Sequence, residues 1–378
     1  MQMWYIIMWT ALILTGAALV YVSNRVCRFE CVKRLTGDSE KLKSMIGGGT
    51  VFGTFALICI GLNFMNAIVC IIYFAMFWLI CDFCFWLAEK IRKQPFKRYY
   101  AGGAAVALSL AALWCGWYLN HHVWATHYTL TTSKNISPLR IVMFADSHLG
   151  TTFDADGLAE HIVAMQAENP DAVIIAGDFV DDDTTREDMV KASRQLGQMQ
   201  TKYGVYFVFG NHDKGYYGAA RRGFSAAELV AELEKNGIRV LRDKIALLAD
   251  SVYIIGRRDA SVAREQGGRR LSMEELTRNL NSDKYMIAAD HQPADYAAQA
   301  QSGVDLVLSG HTHGGQLFPF NYVGKWIGAN DAIYGREKRN NTDFIVTSGI
   351  SSWAIKFKTG TKSEYTVIDI VPLNSDEQ

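Results

Sequence analysis

The hydrophobic and polar positions follow one pattern in the first third of the chain and another in the rest. Four long apolar stretches come first, at 4–22, 46–62, 67–87 and 101–119. A membrane-spanning helix needs about 17–25 residues, so each stretch is long enough to cross a bilayer. The apolar run from 45 to 88 is too long for one span, and we expect a turn at Asn63 and Asn66 to divide it. The pattern predicts a membrane domain over 1–127 with four transmembrane helices.

After residue 128 the apolar runs become short and alternate with amphipathic segments. The segments predicted as strands are 139–145, 172–176, 206–209, 239–242, 246–249, 252–255, 285–289, 305–309, 343–347 and 365–371. The segments predicted as helices are 156–169, 186–201, 225–236 and 271–280. Strands that alternate with helices indicate an α/β fold. We therefore predict an α/β domain over 128–378, joined to the membrane domain near residues 125–135.

The formal net charge is zero, from 38 basic and 38 acidic residues, but the two parts differ. Residues 1–128 hold eleven basic and five acidic residues, and all seven cysteines lie there. The rest of the chain is acidic overall, so no nucleic-acid binding is expected. Loops 23–45 and 88–100 hold six and five basic residues, which predicts that both face the cytoplasm. We therefore predict an integral membrane protein whose C-terminal domain is extracytoplasmic, in the periplasm or at the cell surface.

Three further features leave alternatives open. Asp82 is the only charged residue inside the four stretches, and we interpret it as a side chain that snorkels to the interface. An arginine-rich segment, 257–270, is either a solvated loop or a contact for substrate phosphate. An aromatic segment is either an apolar wall for a lipid or sugar, or part of the core. It contains Leu317, Phe318, Phe320 and Tyr322.

The chemically distinctive side chains directly follow predicted strands. They are Asp146, His148, Asp178, Asn211, His212, His291, His311 and His313. In α/β sheets the crevice beyond the carboxyl ends of strands is where ligands bind. Carboxylate, imidazole and amide groups without thiolate suit hard to borderline divalent cations. Two such cations held about 3.5–4 Å apart can act on a phosphoester, and a carboxylate is the natural bridge between them.

In this order the motifs resemble those of the calcineurin-like metallophosphoesterases, over about residues 138–372. The matching motifs are Asp146-Ser147-His148, Gly177-Asp178-Phe179-Val180-Asp181, Gly210-Asn211-His212-Asp213, His291 and Gly310-His311-Thr312-His313. Gly314-Gly315-Gln316 resembles the bacterial membrane-anchored branch. The resemblance implies a four-layer αββα sandwich and a dinuclear metal centre. The metals would be manganese, iron, zinc or magnesium, and we favour manganese.

The resemblance also implies a role for each residue. Asp146, His148 and His313 would bind the first metal, and Asn211, His291 and His311 the second, with Asp178 as the bridge. A bridging hydroxide would attack phosphorus, and His212 would protonate the leaving oxygen. Asp181 or Asp213 would orient nearby groups. The segment 353–360 departs from the pattern, since it has lysines where the branch has an arginine near prolines, and this leaves the substrate open.

The leading hypothesis is therefore a membrane-anchored, two-metal phosphoesterase. Its substrate would be a phosphodiester, phosphomonoester or pyrophosphate at the membrane, possibly lipid-linked. One alternative is an enzyme like the UDP-2,3-diacylglucosamine pyrophosphatases of lipid A synthesis, whose reaction faces the cytoplasm. Another alternative is a membrane sensor that binds a phosphorylated ligand without turnover. The native substrate, the metals and the oligomeric state stay open.

Overall fold

The computed structural model describes residues 2–265 and 267–373. The chain divides into two compact units, Met1–Tyr118 and Leu119–Gln378. Most of the predicted junction at 125–135 forms strand β1, Val123–Thr132. The backbone of β1 pairs with a strand near the C-terminus along its whole length, so this segment is part of a sheet. The domain boundary between residues 127 and 128 stays a prediction.

The first unit is helical. Its helices are α1 (Gln2–Val26), α2 (Glu30–Thr36), α3 (Glu40–Gly61), α4 (Phe64–Arg92) and α5 (Tyr100–His121). Three of them, α3, α4 and α5, are long and apolar enough to cross a membrane. The helical stretch Met8–Val26 bends by 75° into α2, and this pair would be a fourth span if the two count as one. The described residues thus support three to four spans.

The turn predicted at Asn63 and Asn66 is confirmed. Asn63 caps the N-terminus of α4, where its Oδ1 accepts from the Asn66 backbone nitrogen at 2.8 Å. Such a cap satisfies one of the free N–H groups at a helix start. The carboxylate of Asp82, which we interpret from the sequence as snorkelling to the interface, lies 2.7 Å from Nε of Arg25 on α1. Arg25 and Asp82 are 57 residues apart in the sequence, so the sequence pattern did not predict their contact.

The second unit contains two six-stranded sheets. Besides β1, its strands are β2 (Leu139–Phe144), β3 (Ala172–Ala176), β4 (Val205–Val208), β5 (Arg239–Leu241), β6 (Lys244–Leu248), β7 (Val252–Gly256), β8 (Tyr285–Ala289), β9 (Leu306–Ser309), β10 (Gly335–Arg339), β11 (Thr342–Val346) and β12 (Ser363–Pro372). The strand orders are β1-β12-β2-β3-β4-β5 and β10-β11-β9-β8-β7-β6. Both sheets are mixed: β2 to β5 run parallel to one another, as do β7, β8, β9 and β11.

Helices cover the outer face of each sheet. Those of the second unit are α6 (Ala155–Ala167), α7 (Arg186–Gly197), α8 (Ala219–Arg222), α9 (Ala226–Lys235), α10 (Met273–Thr277), α11 (Tyr296–Gln301) and α12 (Val323–Trp326). Along β2, Val142 and Phe144 enter a core shared with α6, α7 and α9, whereas Ile141 and Met143 enter a core between the sheets. A third core joins the second sheet to α10 and α11. These layers give the predicted α/β architecture.

The predicted strands and helices are present with shifted ends, and a few elements were missed. The missed strand β10 reads Gly-Arg-Glu-Lys-Arg, with no apolar residue, and it is half-exposed beside β11. Buried strands are apolar on both faces because helices cover one side and the other sheet covers the second. Edge strands such as β10 lack that signal, so the pattern of apolar residues did not reveal it.

Candidate metal centre

The candidate residues lie in loops that follow five strands. In chain order they follow β2, β3, β4, β8 and β9, and they are Asp146, His148, Asp178, Asn211, His212, His291, His311 and His313. Two contacts join the loops of the two sheets. The backbone nitrogen of His311 donates to both carboxylate oxygens of Asp146 at 3.0 Å. Nδ1 of His291 lies 2.8 Å from the carbonyl oxygen of Ala176, the last residue of β3.

Two groups of three side chains could each hold a cation. Asp146, His148 and His313 form one group, and Asp178, His291 and His311 form the other. Within each group the potential ligand atoms lie within 4.8 Å of one another. The structure therefore brings the predicted histidine and carboxylate ligands together in two sets, with Asp178 in the second set.

The backbone around these side chains is strained. Five candidate residues have positive φ, between 37° and 72°, and none of them is glycine: Asp146, His148, Asp178, His311 and His313. Non-glycine residues rarely adopt this conformation, and where it persists it tends to cluster at functional sites.

Asp178 lies between the two groups. Its Oδ2 is 3.0 Å from Nε2 of His291, which belongs to its own group. The same oxygen is 3.7 Å from Nε2 of His148, which belongs to the other group. Its Oδ1 accepts from the backbone nitrogen of His212 at 2.8 Å, which fixes the carboxylate plane. This position is the one that a bridging ligand requires.

Several buried polar atoms face the centre without a hydrogen bond. Asn211 donates from Nδ2 to the hydroxyl of Tyr216 at 2.9 Å, while its buried Oδ1 has no partner among the described residues. Nε2 of His148 is likewise buried without a hydrogen bond among the described residues, and Nε2 of His291 is buried beside the Asp178 carboxylate at 3.0 Å. Their Nδ1 atoms are occupied by Asp181 and by the Ala176 carbonyl. Buried polar atoms are nearly always paired, so the unpaired lone pairs of Asn211 Oδ1 and His148 Nε2 fit ligands of bound cations.

The electrostatics of the centre point the same way. Burial raises the pKa of Asp146 to about 6. Burial acts on Asp178 in the same direction, but the charge of His291 outweighs it and holds the pKa of Asp178 well below its usual range. Burial lowers the pKa of His311 to about 4 and that of His313 well below its usual value. Burial acts to lower the pKa of His291, but the charge of Asp178 outweighs it and raises that pKa well above its usual value. Two buried carboxylates among imidazoles form an environment that divalent cations would stabilise.

Comparisons with known proteins agree with this geometry. Residues 139–315 match the family Calcineurin-like phosphoesterase. An uncharacterised metallophosphoesterase of Aquifex aeolicus is 32% identical over 199 residues, which is 52% of this chain and 72% of that protein. The chain belongs to the calcineurin-like metallophosphoesterase family. Members of this family are phosphoric ester hydrolases.

Two other relatives of this metallophosphoesterase differ in how they are named. One is named as a transmembrane protein, and the other as an uncharacterised metallophosphoesterase. A transmembrane protein with metallophosphoesterase domain from Danio rerio is 33% identical over 246 residues, 62% of this chain and 54% of that protein. An uncharacterised metallophosphoesterase of Campylobacter jejuni is 30% identical over 238 residues, 61% of this chain and 59% of that protein. The chain thus spans little more than half the length of these two relatives.

Asp181 and Asp213 lie behind the candidate ligands of the metallophosphoesterase. Oδ2 of Asp181 is 3.2 Å from Nδ1 of His148, so this carboxylate orients the imidazole. The buried carboxylate of Asp213 accepts from the backbone nitrogens of Asp178, Val180 and Gly210 at 2.7–3.0 Å. Burial and the neighbouring Asp178 raise its pKa to about 7. Asp213 therefore ties the loop after β3 to the loop after β4, and a catalytic role for either carboxylate stays a prediction.

His212 belongs to neither group of ligands. Its ring centroid lies 5.0 Å from the rings of His148 and Tyr216 and 5.3 Å from that of Trp353. Burial lowers the pKa of His212 to about 4. The ring thus lies beside the candidate centre and belongs to neither group of potential ligands.

The sequence did not reveal the role of Lys358. This side chain is fully buried, and its Nζ donates to the carbonyl oxygens of Ser348 at 2.6 Å and Gly349 at 3.1 Å. Burial lowers the pKa of Lys358 to about 7. Gly349, with φ 77°, packs so closely on Asp146 that a Cβ there would lie 2.7 Å from Cβ of Asp146. Lys358 thus holds the loop that packs on a candidate ligand, and it lies in the segment where lysines depart from the family pattern.

The arginine-rich segment divides into buried and exposed members. Arg257 and Arg270 both contact the buried carboxylate of Asp290, the residue before His291. Arg258 and Arg269 are exposed and pair with Asp243 and Glu275, respectively. The side chain of Arg264 lies outside the described residues. Two of the arginines thus brace the loop that carries a candidate ligand, a use that was not among the predicted alternatives.

We predict that Asp213→Ala destabilises the second unit. The substitution leaves three buried N–H groups without an acceptor, and each unsatisfied group costs about 1–3 kcal/mol. Asp283→Ala, at an exposed position, is the matched control and should change stability by less than about 0.5 kcal/mol. Thermal unfolding followed by near-ultraviolet circular dichroism measures both variants. Equal melting temperatures for the two would show that Asp213 does not hold the loops together.

Proposed function

We propose that the chain is a membrane-anchored, two-metal phosphoesterase that hydrolyses a phosphodiester, phosphomonoester or pyrophosphate bond. The observation that carries the proposal is the position of Asp178 between two three-residue groups of potential ligands. A solvated surface cluster would not bury two carboxylates and leave imidazole nitrogens unpaired beside them. Family membership supports the reaction class.

We assign the ligands as the sequence predicts them. Asp146, His148 and His313 hold the first cation, and Asn211, His291 and His311 hold the second, with Asp178 bridging. The unpaired Oδ1 of Asn211 supports its inclusion. When bound, two divalent cations supply Lewis acidity toward phosphoryl oxygens and acidify water. Nitrogen and oxygen donors suit manganese, iron, zinc or magnesium, and we favour manganese.

The side chains around the metals complete the site. We assign His212 to donate a proton to the leaving oxygen, because its ring lies beside both groups without belonging to either. Burial keeps this ring neutral at pH 7, with a pKa of about 4. The negative charge of a bound phosphoester would raise that pKa and favour the protonated ring. Asp181 orients His148, and Asp213 positions the Asp178 backbone.

We predict that Asp178→Asn abolishes turnover. The amide cannot bridge two cations as a carboxylate does, so hydrolysis of bis-p-nitrophenyl phosphate should fall by roughly 10²–10³-fold or more. Asp156→Asn is the matched control, since this exposed carboxylate on α6 pairs with Lys191 at 2.7 Å and is not among the candidate ligands. Steady-state rates with added Mn²⁺ measure the effect. Wild-type rates in the Asp178 variant would refute the bridge, and an inactive wild type would favour the sensor alternative.

A membrane-associated substrate is supported by the aromatic segment. The interpretation of these residues as core is wrong for Phe318, Phe320 and Tyr322, which are exposed by 57%, 54% and 51%, while Leu317 is half-buried. Trp326 is 74% exposed. Residues 314–330 contain no acidic residue and one basic residue, Lys325. Exposed aromatic surface of this kind is typical of contacts with lipid or another apolar partner.

The aromatic segment is fixed to the candidate centre. Gln316, three residues after His313, accepts at its carbonyl oxygen from the backbone nitrogens of Thr359 and Gly360. Its Nε2 donates to the carbonyl oxygens of Ile355 and Phe357 at 3.0 and 3.3 Å. An acyl or polyprenyl chain that packs on this surface would therefore lie at a defined distance from the reacting phosphate.

We predict that Phe318→Ser combined with Phe320→Ser raises KM for a lipid-linked pyrophosphate in nanodiscs, because apolar contact with the lipid is lost. Turnover of soluble bis-p-nitrophenyl phosphate should not change. Tyr217→Ser, at a 71% exposed aromatic residue elsewhere, is the control. An equal loss on both substrates would show that the two phenylalanines support the site generally and do not bind lipid.

We place the catalytic unit outside the cytoplasm, on the evidence of the basic loops 23–45 and 88–100. A reporter fused after residue 378 tests this. Alkaline phosphatase should be active in that fusion and green fluorescent protein dark, because the former folds in the periplasm and the latter fluoresces in the cytoplasm. The opposite result would place the unit in the cytoplasm and favour the UDP-2,3-diacylglucosamine pyrophosphatase alternative.

A further inference from the structure

The first unit contains a polar cluster that the catalytic proposal does not use. Asp82 on α4 contacts three side chains: Nε of Arg25 at 2.7 Å, the hydroxyl of Tyr21 at 2.9 Å and the hydroxyl of Tyr99 at 3.1 Å. Nε1 of Trp78 donates to the Tyr99 hydroxyl at 2.8 Å. Asp82 thus has its partners within the unit and neutralises Arg25.

A cavity of about 540 Å³ lies beside this cluster. Among the residues that line it are Arg25, Arg28, Arg98, Phe83, Trp86 and Phe96. The size falls within the range of small-molecule sites, about 300–1,000 Å³. The lining thus combines basic and aromatic side chains, as a ligand with a charged head and an apolar body would require.

The charges around the cavity are not balanced. Its two carboxylates are engaged: Asp82 with Arg25, and Glu89 with the backbone nitrogen of Phe96 at 2.9 Å. Arg28 and Arg98 are exposed and have no carboxylate oxygen within 4 Å among the described residues. Two guanidinium groups are thus available to an anion. Guanidinium binds phosphate with two parallel hydrogen bonds, and basic pockets between transmembrane helices bind anionic head groups.

We propose that this cavity binds the phosphate head group of an anionic membrane lipid. Arg28 and Arg98 contact the phosphate, and Phe83 and Trp86 contact the glycerol and the first acyl carbons. Arg28 and Arg98 come from loops 23–45 and 88–100, which carry the basic residues assigned to the cytoplasmic side. The lipid would therefore come from the cytoplasmic leaflet. It would join these two loops and stabilise the first unit, independently of any phosphoesterase activity.

Native mass spectrometry and thermal unfolding of the full chain test the site. The detergent-solubilised protein is titrated with phosphatidylglycerol, phosphatidylcholine or inorganic phosphate. We expect retention of one phosphatidylglycerol and a higher melting temperature, with no comparable effect of the other two. Retention of phosphatidylcholine to the same extent, or stabilisation by inorganic phosphate without lipid retention, would overturn the proposal.

Two double variants separate the cavity from the general basic charge of the loops. Arg28→Gln with Arg98→Gln should weaken phosphatidylglycerol binding by at least about tenfold, because charge-assisted hydrogen bonds are lost. Lys41→Gln with Lys93→Gln removes the same charge from the same two loops at exposed positions that do not line the cavity. This control should bind as the wild type does. Equal weakening in both double variants would show that the lipid is attracted by diffuse charge and not by the cavity.

Discussion

The structure of the second unit depends on the burial of two carboxylates, Asp146 and Asp178, at the ends of neighbouring parallel strands. Both side chains are essentially inaccessible to water, and the residues around them hold strained backbone conformations. A buried charge needs compensation from hydrogen bonds, opposite charge or a cation. Backbone nitrogens of His311 and His212 supply part of it. The negative charge that these hydrogen bonds do not compensate makes the ends of β2 and β3 a candidate cation site. The loops around the two carboxylates hold them in this arrangement.

The sequence could place the candidate residues near one another because each cluster of them directly follows a strand. A strand end fixes where the next residue lies, so Asp146, Asp178 and His311 could be placed together once a parallel sheet was recognised. The residues that support the ligands could not be placed this way. Lys358 and Asp290 act through contacts with loops that are distant in sequence, and such contacts leave no periodic pattern. Strands β10 and β1 were missed for a related reason. Each is a strand because its backbone pairs with a neighbouring strand, and its sequence lacks the apolar pattern that predicts a strand.

The same limit applies to the membrane part. Length and hydropathy predicted the apolar helices and the break at Asn63, since these depend on local sequence alone. The pairing of Asp82 with Arg25 depends on how two helices meet, and a single sequence does not encode that visibly. The zero net charge of the chain is the sum of two parts with opposite net charge. A basic membrane part is offset by an acidic second part, and some of that acidity lies in the carboxylates of the candidate metal centre.

The proposed function depends on two cations that share Asp178. Anomalous diffraction from crystals of the Mn²⁺-loaded protein tests it most directly, because the signal locates the metal independently of activity. If Asp178 bridges two ions, we expect two anomalous peaks about 3.5–4 Å apart, one on either side of the Asp178 carboxylate. One should lie beside Asp146, His148 and His313, and the other beside Asn211, His291 and His311. A single peak, or two peaks that Asp178 does not contact, would contradict the account.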